Sequence, residues 1–194
     1  MFLKQVDRFS DVLIDQEIIT IENKDLIVYG LSTGIELILN ILTIIALGFV
    51  LDMLLESILF VISFAFIRVY AGGYHLKKVL NCYLLSSGIV ALALLAVKFT
   101  PKEYMILISL LLLVISIPII LKFAPMGTPN KPLGNDEKKY YRKKVLDHMG
   151  IELIFIFVLF LLGMRIAILL ISLSIFISSF LIVISVYEKI YIHD

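Results

Sequence analysis

Met105-Ile106-Leu107-Ile108-Ser109-Leu110-Leu111-Leu112-Leu113-Val114-Ile115-Ser116-Ile117-Pro118-Ile119-Ile120-Leu121 runs seventeen residues without a charge. A run of this length matches the roughly 20 residues (about 17–25) that cross the hydrocarbon core of a bilayer as a helix. With its flanks it defines a segment over 103–122. Similar runs occupy 30–50, 54–70, 79–98, 148–163 and 166–187. The whole chain shares this character. Of 194 residues, 61% are hydrophobic and 17% charged, and mean hydropathy is +1.05. A soluble domain is nearer half apolar and a quarter charged, and one aqueous core of this size cannot hide so much apolar surface. The sequence therefore predicts an all-α, polytopic integral membrane protein with about six membrane helices. Four spans plus two tilted or interfacial segments is the alternative. The fifth run, Gly150 to Gly163, is short and carries Glu152; the tight Gly163-Met164-Arg165 turn joins it to the last run as a helical hairpin.

Residues 1–17 have a different pattern. At 100° per residue Phe2, Val6, Phe9 and Leu13 fall on one side of a helix, opposite Lys4, Asp7, Arg8, Asp11 and Asp15. Such a helix lies in the headgroup plane or packs on the rest of the protein or a partner. The first 25 residues lack the basic start, apolar run and cleavage site of a signal peptide, so the N-terminus is expected to persist. The whole of 1–194 is expected to form a single membrane domain. Within it, 1–27 is an amphipathic N-terminal segment and 123–147 a basic loop.

The charges give an orientation. With six spans and the N-terminus inside, 14 of the Lys and Arg residues fall on the inner side. Lys98, Lys102 and Arg165 alone fall outside. This asymmetry predicts cytoplasmic N- and C-termini. In the long inner loop, Pro125, Gly127, Pro129, Pro132 and Gly134 make the first half irregular, while Lys138-Lys139-Tyr140-Tyr141-Arg142-Lys143-Lys144 begins a helix. Asp52 and Glu56 share a face and are expected to form a solvated cap on the outer side. The net charge of +1 offers no footprint for nucleic acid, and no nucleic-acid partner is expected.

The segment between the second and third spans carries candidate chemistry. It reads Arg68-Val69-Tyr70-Ala71-Gly72-Gly73-Tyr74-His75-Leu76-Lys77-Lys78-Val79-Leu80-Asn81-Cys82. Ionisable groups at membrane depth are costly and need a reason. Cys82 is the single cysteine, so no intrachain disulfide forms. A thiolate attacks carbonyls, and an adjacent imidazole can take its proton. The bland alternatives are a small core hydrophobe for Cys82 and a solvated edge residue for His75. One cysteine and one histidine are too few for a metal site, with His148 and His193 distant in sequence; no metal or cofactor is expected. Nor is there an H-E-x-x-H pattern for a metal-dependent protease.

Spacing adds a constraint. Seven residues along one helix separate two side chains by about 10.5 Å of rise. His75 and Cys82 therefore meet only if the helix breaks, and Gly72-Gly73 supplies the backbone freedom. Cys82 then lies in the first turns of the next helix, where the helix dipole favours a thiolate. Backbone N–H groups near Gly72 and Gly73 are candidate oxyanion donors.

Arg68, Gly73, His75 and Cys82 form the pattern R-x4-G-x-H-x6-C. In this pattern the chain resembles AgrB, the accessory gene regulator B membrane endopeptidases of bacterial quorum sensing. The resemblance extends to the amphipathic N-terminus, Gly34-Ile35-Glu36, Ala124-Pro125, Lys131-Pro132 and the Lys-Tyr-Tyr-Arg-Lys-Lys run. It implies a cell-membrane cysteine endopeptidase and acyl transferase that acts on an AgrD-like propeptide with an amphipathic leader, a short core and an acidic tail. It further implies attack by Cys82 at the end of the core, His75 as base, and ring closure to a thiolactone or lactone. A homodimer is implied as well.

Supporting roles follow with their alternatives. Glu36 shares a helix face with Asn40; it either orients His75, as the third member of a triad does, or serves helix packing or pairs with Arg68. Arg68 pairs with an acidic group, holds the substrate backbone or anchors the interface. Glu152 either lines the reaction chamber or plays no part in it. Lys77, Lys78, Lys138, Lys139, Arg142, Lys143 and Lys144 either attract the acidic tail or set orientation and bind anionic membrane lipids. A non-catalytic scaffold or a transporter component for peptide export is the alternative for the whole protein, and it would tolerate replacement of Cys82.

Overall fold

The computed structural model describes residues 2–16, 20–73, 79–127 and 133–191. Among them the chain forms seven α-helices and one short 3-10 turn, with no strand beyond a single bridge. The helices are α1 (Phe2–Asp15), α2 (Lys24–Val50), α3 (Leu54–Ala71), α4 (Val79–Phe99), α5 (Met105–Phe123), α6 (Asn135–Leu161) and α7 (Arg165–Tyr191). Five of them, α2, α3, α4, α5 and α7, are long and apolar enough to cross a membrane. This is the all-α polytopic membrane fold that the apolar runs predict.

The fifth run differs from its expectation. It is the end of α6, a continuous helix that begins at Asn135, not a short span starting near 148. At 27 residues α6 is about 40 Å long, more than the ~30 Å hydrocarbon core. Its first turns carry the basic run, so the second half of the expected loop is helix. The start is set locally. Glu137 accepts a hydrogen bond from the Gly134 N–H at 3.0 Å, and Asp136 and Glu137 complement the helix dipole. Hydropathy sees only the half after Val145, because lysines dominate the half before it.

Helix α7 is the centre of the bundle and packs against α3, α4, α5 and α6. Its buried face includes Ser172, Ser174, Ser178 and Ser179. Facing helices contribute buried Ser57, Ser63, Ser109 and Ser116. Small residues let helices approach closely in a membrane, where lipid removes the hydrophobic drive between them. Several of these hydroxyls return to their own helix, such as Ser109 to Met105 O at 2.7 Å and Ser116 to Leu112 O at 2.6 Å. Helix α2 lies at the periphery against α1, α3 and α4, and much of its apolar surface points outward.

Helix α1 buries Val6 and Ser10 and contacts α2; Asp11 pairs with Lys24. Phe9 and Val12 stay about half exposed, at 53% and 48%. Packing on the bundle therefore takes one edge of α1 and leaves an apolar edge outward.

The two ends of the bundle are built differently. At one end the connections are tight turns through Leu51–Met53 and Leu162–Met164, with positive φ at Asp52 (55°) and Gly163 (71°). The short Gly163 turn bears out the expected α6–α7 hairpin. Asp52 lies in the turn and Glu56 in the first turn of α3, so the two do not share one helix face as the spacing suggested. At the other end the connections after α3 and α5 are longer in sequence, and Cys82 lies there.

Candidate functional site

The helix break falls at the glycine pair. Helix α3 stops at Ala71, and Gly72 takes φ 70° and ψ −150°, a conformation essentially closed to other residues. Gly73 follows at φ 120°. A second constraint acts on Gly72. It forms a bridge with Met126, whose N–H donates to Ala71 O at 2.9 Å. A side chain on Gly72 would run into the Met126 carbonyl. Gly73 is held in the same way, since a Cβ there would strike the guanidinium of Arg68. The segment after α5 thus crosses the end of α3 as a strap over Gly72.

Arg68 occupies the last turn of α3. Its Nη1 donates to Gly72 O at 2.7 Å, fixing the chain where it leaves the helix. The guanidinium also lies within electrostatic range of Cys82. Cys82 is the fourth residue of α4 and is half-buried. The structure therefore brings together Arg68, Gly72, Gly73 and Cys82 at one end of the bundle. His75, Lys77 and Lys78 lie outside the described residues.

Two polar contacts tie α4 to α2 beside the cysteine. Tyr83 shares a 2.7 Å hydrogen bond with Thr43, and the Ser87 hydroxyl reaches Asn40 Oδ1 at 3.5 Å. Farther along, Lys98 donates to Leu51 O at 2.9 Å. These links run at sequence offsets of 40 to 47. Glu36 lies one turn before Asn40 on the same face of α2. Glu36 is itself half-buried. Asn40, its neighbour on that face, is a packing contact between helices.

The strap has its own support. Arg142 donates from Nη1 to Ala124 O at 2.8 Å and from Nη2 to Leu121 O at 2.7 Å. It closes the C-terminus of α5 and pins the strap to α6. Lys138, Lys139 and Lys143 are exposed on the first turns of α6, and Lys144 lies over the Tyr140 ring. Of the basic run, Arg142 is therefore the member that the fold itself employs. The sequence carried no sign of this job, because the partners are backbone carbonyls of another helix. His148 is similarly engaged: its Nδ1 meets Phe66 O at 2.7 Å, and its ring stacks on Phe66 and stands edge-on to Tyr70. A carbonyl only accepts, so Nδ1 carries the proton.

Glu152 does not line the Cys82 end. It is buried, accepts a hydrogen bond from Ser63 at 2.7 Å, and Ser63 in turn meets Ser174. Each of the three lies nine residues from the opposite end of its helix, about 13 Å down the axis. Cys82 lies seventeen residues from that end of α4, or about 25 Å. The carboxyl is an internal tie between α3, α6 and α7 near the middle of the bundle. Among the described residues no group of His, Cys, Asp and Glu has the arrangement of a metal site.

Comparison with known proteins adds the context of this site. The sequence model of "Accessory gene regulator B" matches residues 6–186. "Putative AgrB-like protein 2" of Clostridium perfringens (strain 13 / Type A) is 32% identical over 129 residues, 63% of this chain and 60% of that relative. "Putative AgrB-like protein" of Listeria monocytogenes serotype 4a (strain HCC23) is 25% identical over 143 residues, 72% of this chain and 69% of the relative. "Accessory gene regulator protein B" of Staphylococcus aureus (strain MRSA252) is 32% identical over 88 residues, 45% of this chain and 46% of the relative. The chain thus spans about 60% of the length of the Clostridium relative. No solved structure matches it.

Proposed function

The chain belongs to the accessory gene regulator B family, and we propose that it is a membrane cysteine endopeptidase of quorum sensing. Its substrate is an AgrD-like propeptide with an amphipathic leader, a core containing Cys or Ser, and an acidic tail. The observation that carries this reading is the single cysteine on the fourth residue of α4, within electrostatic range of Arg68 at the broken end of α3, inside the stretch that the family matches.

In this mechanism His75 takes the proton of Cys82, and the thiolate attacks the carbonyl at the end of the core. The C–N bond breaks, the tail leaves as an amine with the proton from His75, and an acyl-thioester remains on Cys82. The thiol or hydroxyl of the core then attacks that thioester. Cys82 leaves as a thiol, and the core closes as a thiolactone or lactone. Arg68 offsets the negative charge on sulfur, and backbone N–H groups at Gly72 and Gly73 serve the oxyanion. Glu36, one turn before Asn40 on α2, orients His75. Exchange of one thiol for another is nearly balanced in energy, whereas water ends the cycle; a site that excludes water favours the ring.

The exposed lysines of α6, with Lys77 and Lys78, attract the acidic tail. The excess of Lys and Arg at the Cys82 end makes that end cytoplasmic and keeps both termini inside the cell membrane. The protein acts as a homodimer among membrane lipids. Co-expression with the propeptide tests the reading. Tail release is expected from the wild type and is expected to fall about 10²–10⁴-fold in His75→Ala, the range for loss of a general base, and to vanish in Cys82→Ala. Tail release that persists in both variants would instead support a scaffold or export component.

A further inference from the structure

The end of the bundle away from Cys82 carries few cations. Among the described residues only Lys98, Lys102 and Arg165 lie there. Lys98 is spent on the Leu51 carbonyl. The other two rim a single open pocket of about 470 Å³. Arg165 donates to the backbone carbonyl of Lys102 at 3.3 Å, which joins the two residues at one edge. Among the described residues neither forms an ion pair. Asp52, Glu56 and Glu103 lie at the same end, but of these only Glu56 lines the pocket, so two cations against one carboxylate leave the pocket rim able to take an anion.

Apart from Glu56, the rest of the pocket is apolar. Leu59, Ile166, Ala167 and Leu170 form its wall, with Leu170 fully buried. The wall runs down from the helix ends into the bundle, so a ligand here meets charge at headgroup level and hydrocarbon below. That division is the chemistry of a lipid. Helices α3 and α7 both begin at this rim, and their N-termini add partial positive charge. Glu56 also lines the rim. A carboxylate repels a phosphate but accepts hydrogen bonds from hydroxyls.

We propose that this pocket holds one anionic phospholipid with a hydroxyl-bearing headgroup, from the leaflet opposite the Cys82 end. One acyl chain lies along the Leu59–Leu170 wall. The phosphate sits between Lys102 and Arg165, and a headgroup hydroxyl donates to Glu56. Phosphatidylglycerol has this combination. Phosphatidylcholine has the phosphate without net charge or hydroxyls, and phosphatidic acid has the charge without the headgroup hydroxyls.

Native mass spectrometry of the full-length protein in mild detergent, offered equal amounts of two lipids, tests the assignment. The wild type is expected to retain one phosphatidylglycerol in preference to phosphatidylcholine, and inorganic phosphate is expected not to displace it. Lys102→Gln should weaken retention about fivefold, and the double variant Lys102→Ala/Arg165→Ala about 30-fold, from the usual contribution of a basic residue near an anionic headgroup. Lys98→Ala should bind as the wild type does. Both rim cations are exposed, and unchanged helicity by circular dichroism checks that the variants fold. Equal retention of the two lipids, or a double variant that holds phosphatidylglycerol like the wild type, would overturn the proposal. Glu56→Ala should abolish a preference for phosphatidylglycerol over phosphatidic acid; a wild type without that preference would overturn the role given to Glu56.

Discussion

The two ends of this bundle obey opposite rules. At the end away from Cys82, three to five residues join one helix to the next, and backbone groups return to the helix they leave, as Met53 N–H does to Gly48 O at 2.8 Å. At the Cys82 end, α3 is followed by a glycine pair, α5 by a strap, and backbone groups of different helices meet. Gly72 pairs with Met126, Arg68 holds Gly72 O, and Arg142 holds Ala124 O and Leu121 O. Tight turns make a frame. Long connections cross-tied by arginines make a surface where backbone and charged groups can face a substrate, as loops on rigid scaffolds do.

Two glycines with the same sign of φ sharpen the contrast. Gly72 has φ 70° and a carbonyl where its side chain would be, whereas Gly163 has φ 71° and nothing within 4 Å. Gly72→Ala should displace the strap and the end of α3, and a shift of about 1 Å at a reacting centre costs about 10²-fold in rate. Gly163→Ala should cost only the left-handed backbone, about 1–2 kcal/mol of stability, with cleavage per folded molecule unchanged. Propeptide cleavage and denaturant unfolding of both variants decide this. Equal loss of activity in the two would erase the distinction between the ends.

Arg142→Ala comes next in size. It removes two charge-assisted bonds to carbonyls and should lower stability by about 1.5–3 kcal/mol. Arg142→Lys should recover only part of this, because an ammonium cannot reach both carbonyls with the fork of a guanidinium. Thermal unfolding in detergent provides the comparison, and full recovery by lysine would show that charge alone matters. The smallest effect is expected between the ends. Glu152→Gln keeps an acceptor for Ser63 and should change stability by about 1 kcal/mol or less, whereas Glu152→Ala should cost about 1–3 kcal/mol. Neither should change cleavage per folded molecule; a specific loss in Glu152→Gln would return Glu152 to the reaction site.

Much of the fold was legible because lipid leaves a simple mark. Five of the six apolar runs became helices with ends within a few residues of those expected; α2 extends back to Lys24 because Asp25, near its N-terminus, favours the dipole there. The sixth was misread as a short span, since hydropathy is blind to a helix that leaves the membrane through lysines 138, 139, 143 and 144. The break at Gly72-Gly73 was legible from spacing alone. The strap was not, since nothing local in Ala124-Pro125-Met126 names Gly72 as its partner. For Glu152 the sequence left two readings open, for a related reason. Its place near Gly150 suggested the rim of a chamber, but its partners come from Ser63 and Ser174, more than 20 residues away in sequence on either side. His75, Lys77 and Lys78 remain sequence assignments, outside the described residues.

The central claim is that Cys82 carries the peptide as a thioester. Its most direct test is the intact mass of the protein after incubation with a propeptide whose core nucleophile is replaced by alanine, so that the ring cannot close. The account predicts an adduct on the Cys82 peptide equal to leader plus core without the tail, released by hydroxylamine and absent from Cys82→Ala. Tail release with no adduct on Cys82, or from the Cys82→Ala protein, would contradict it.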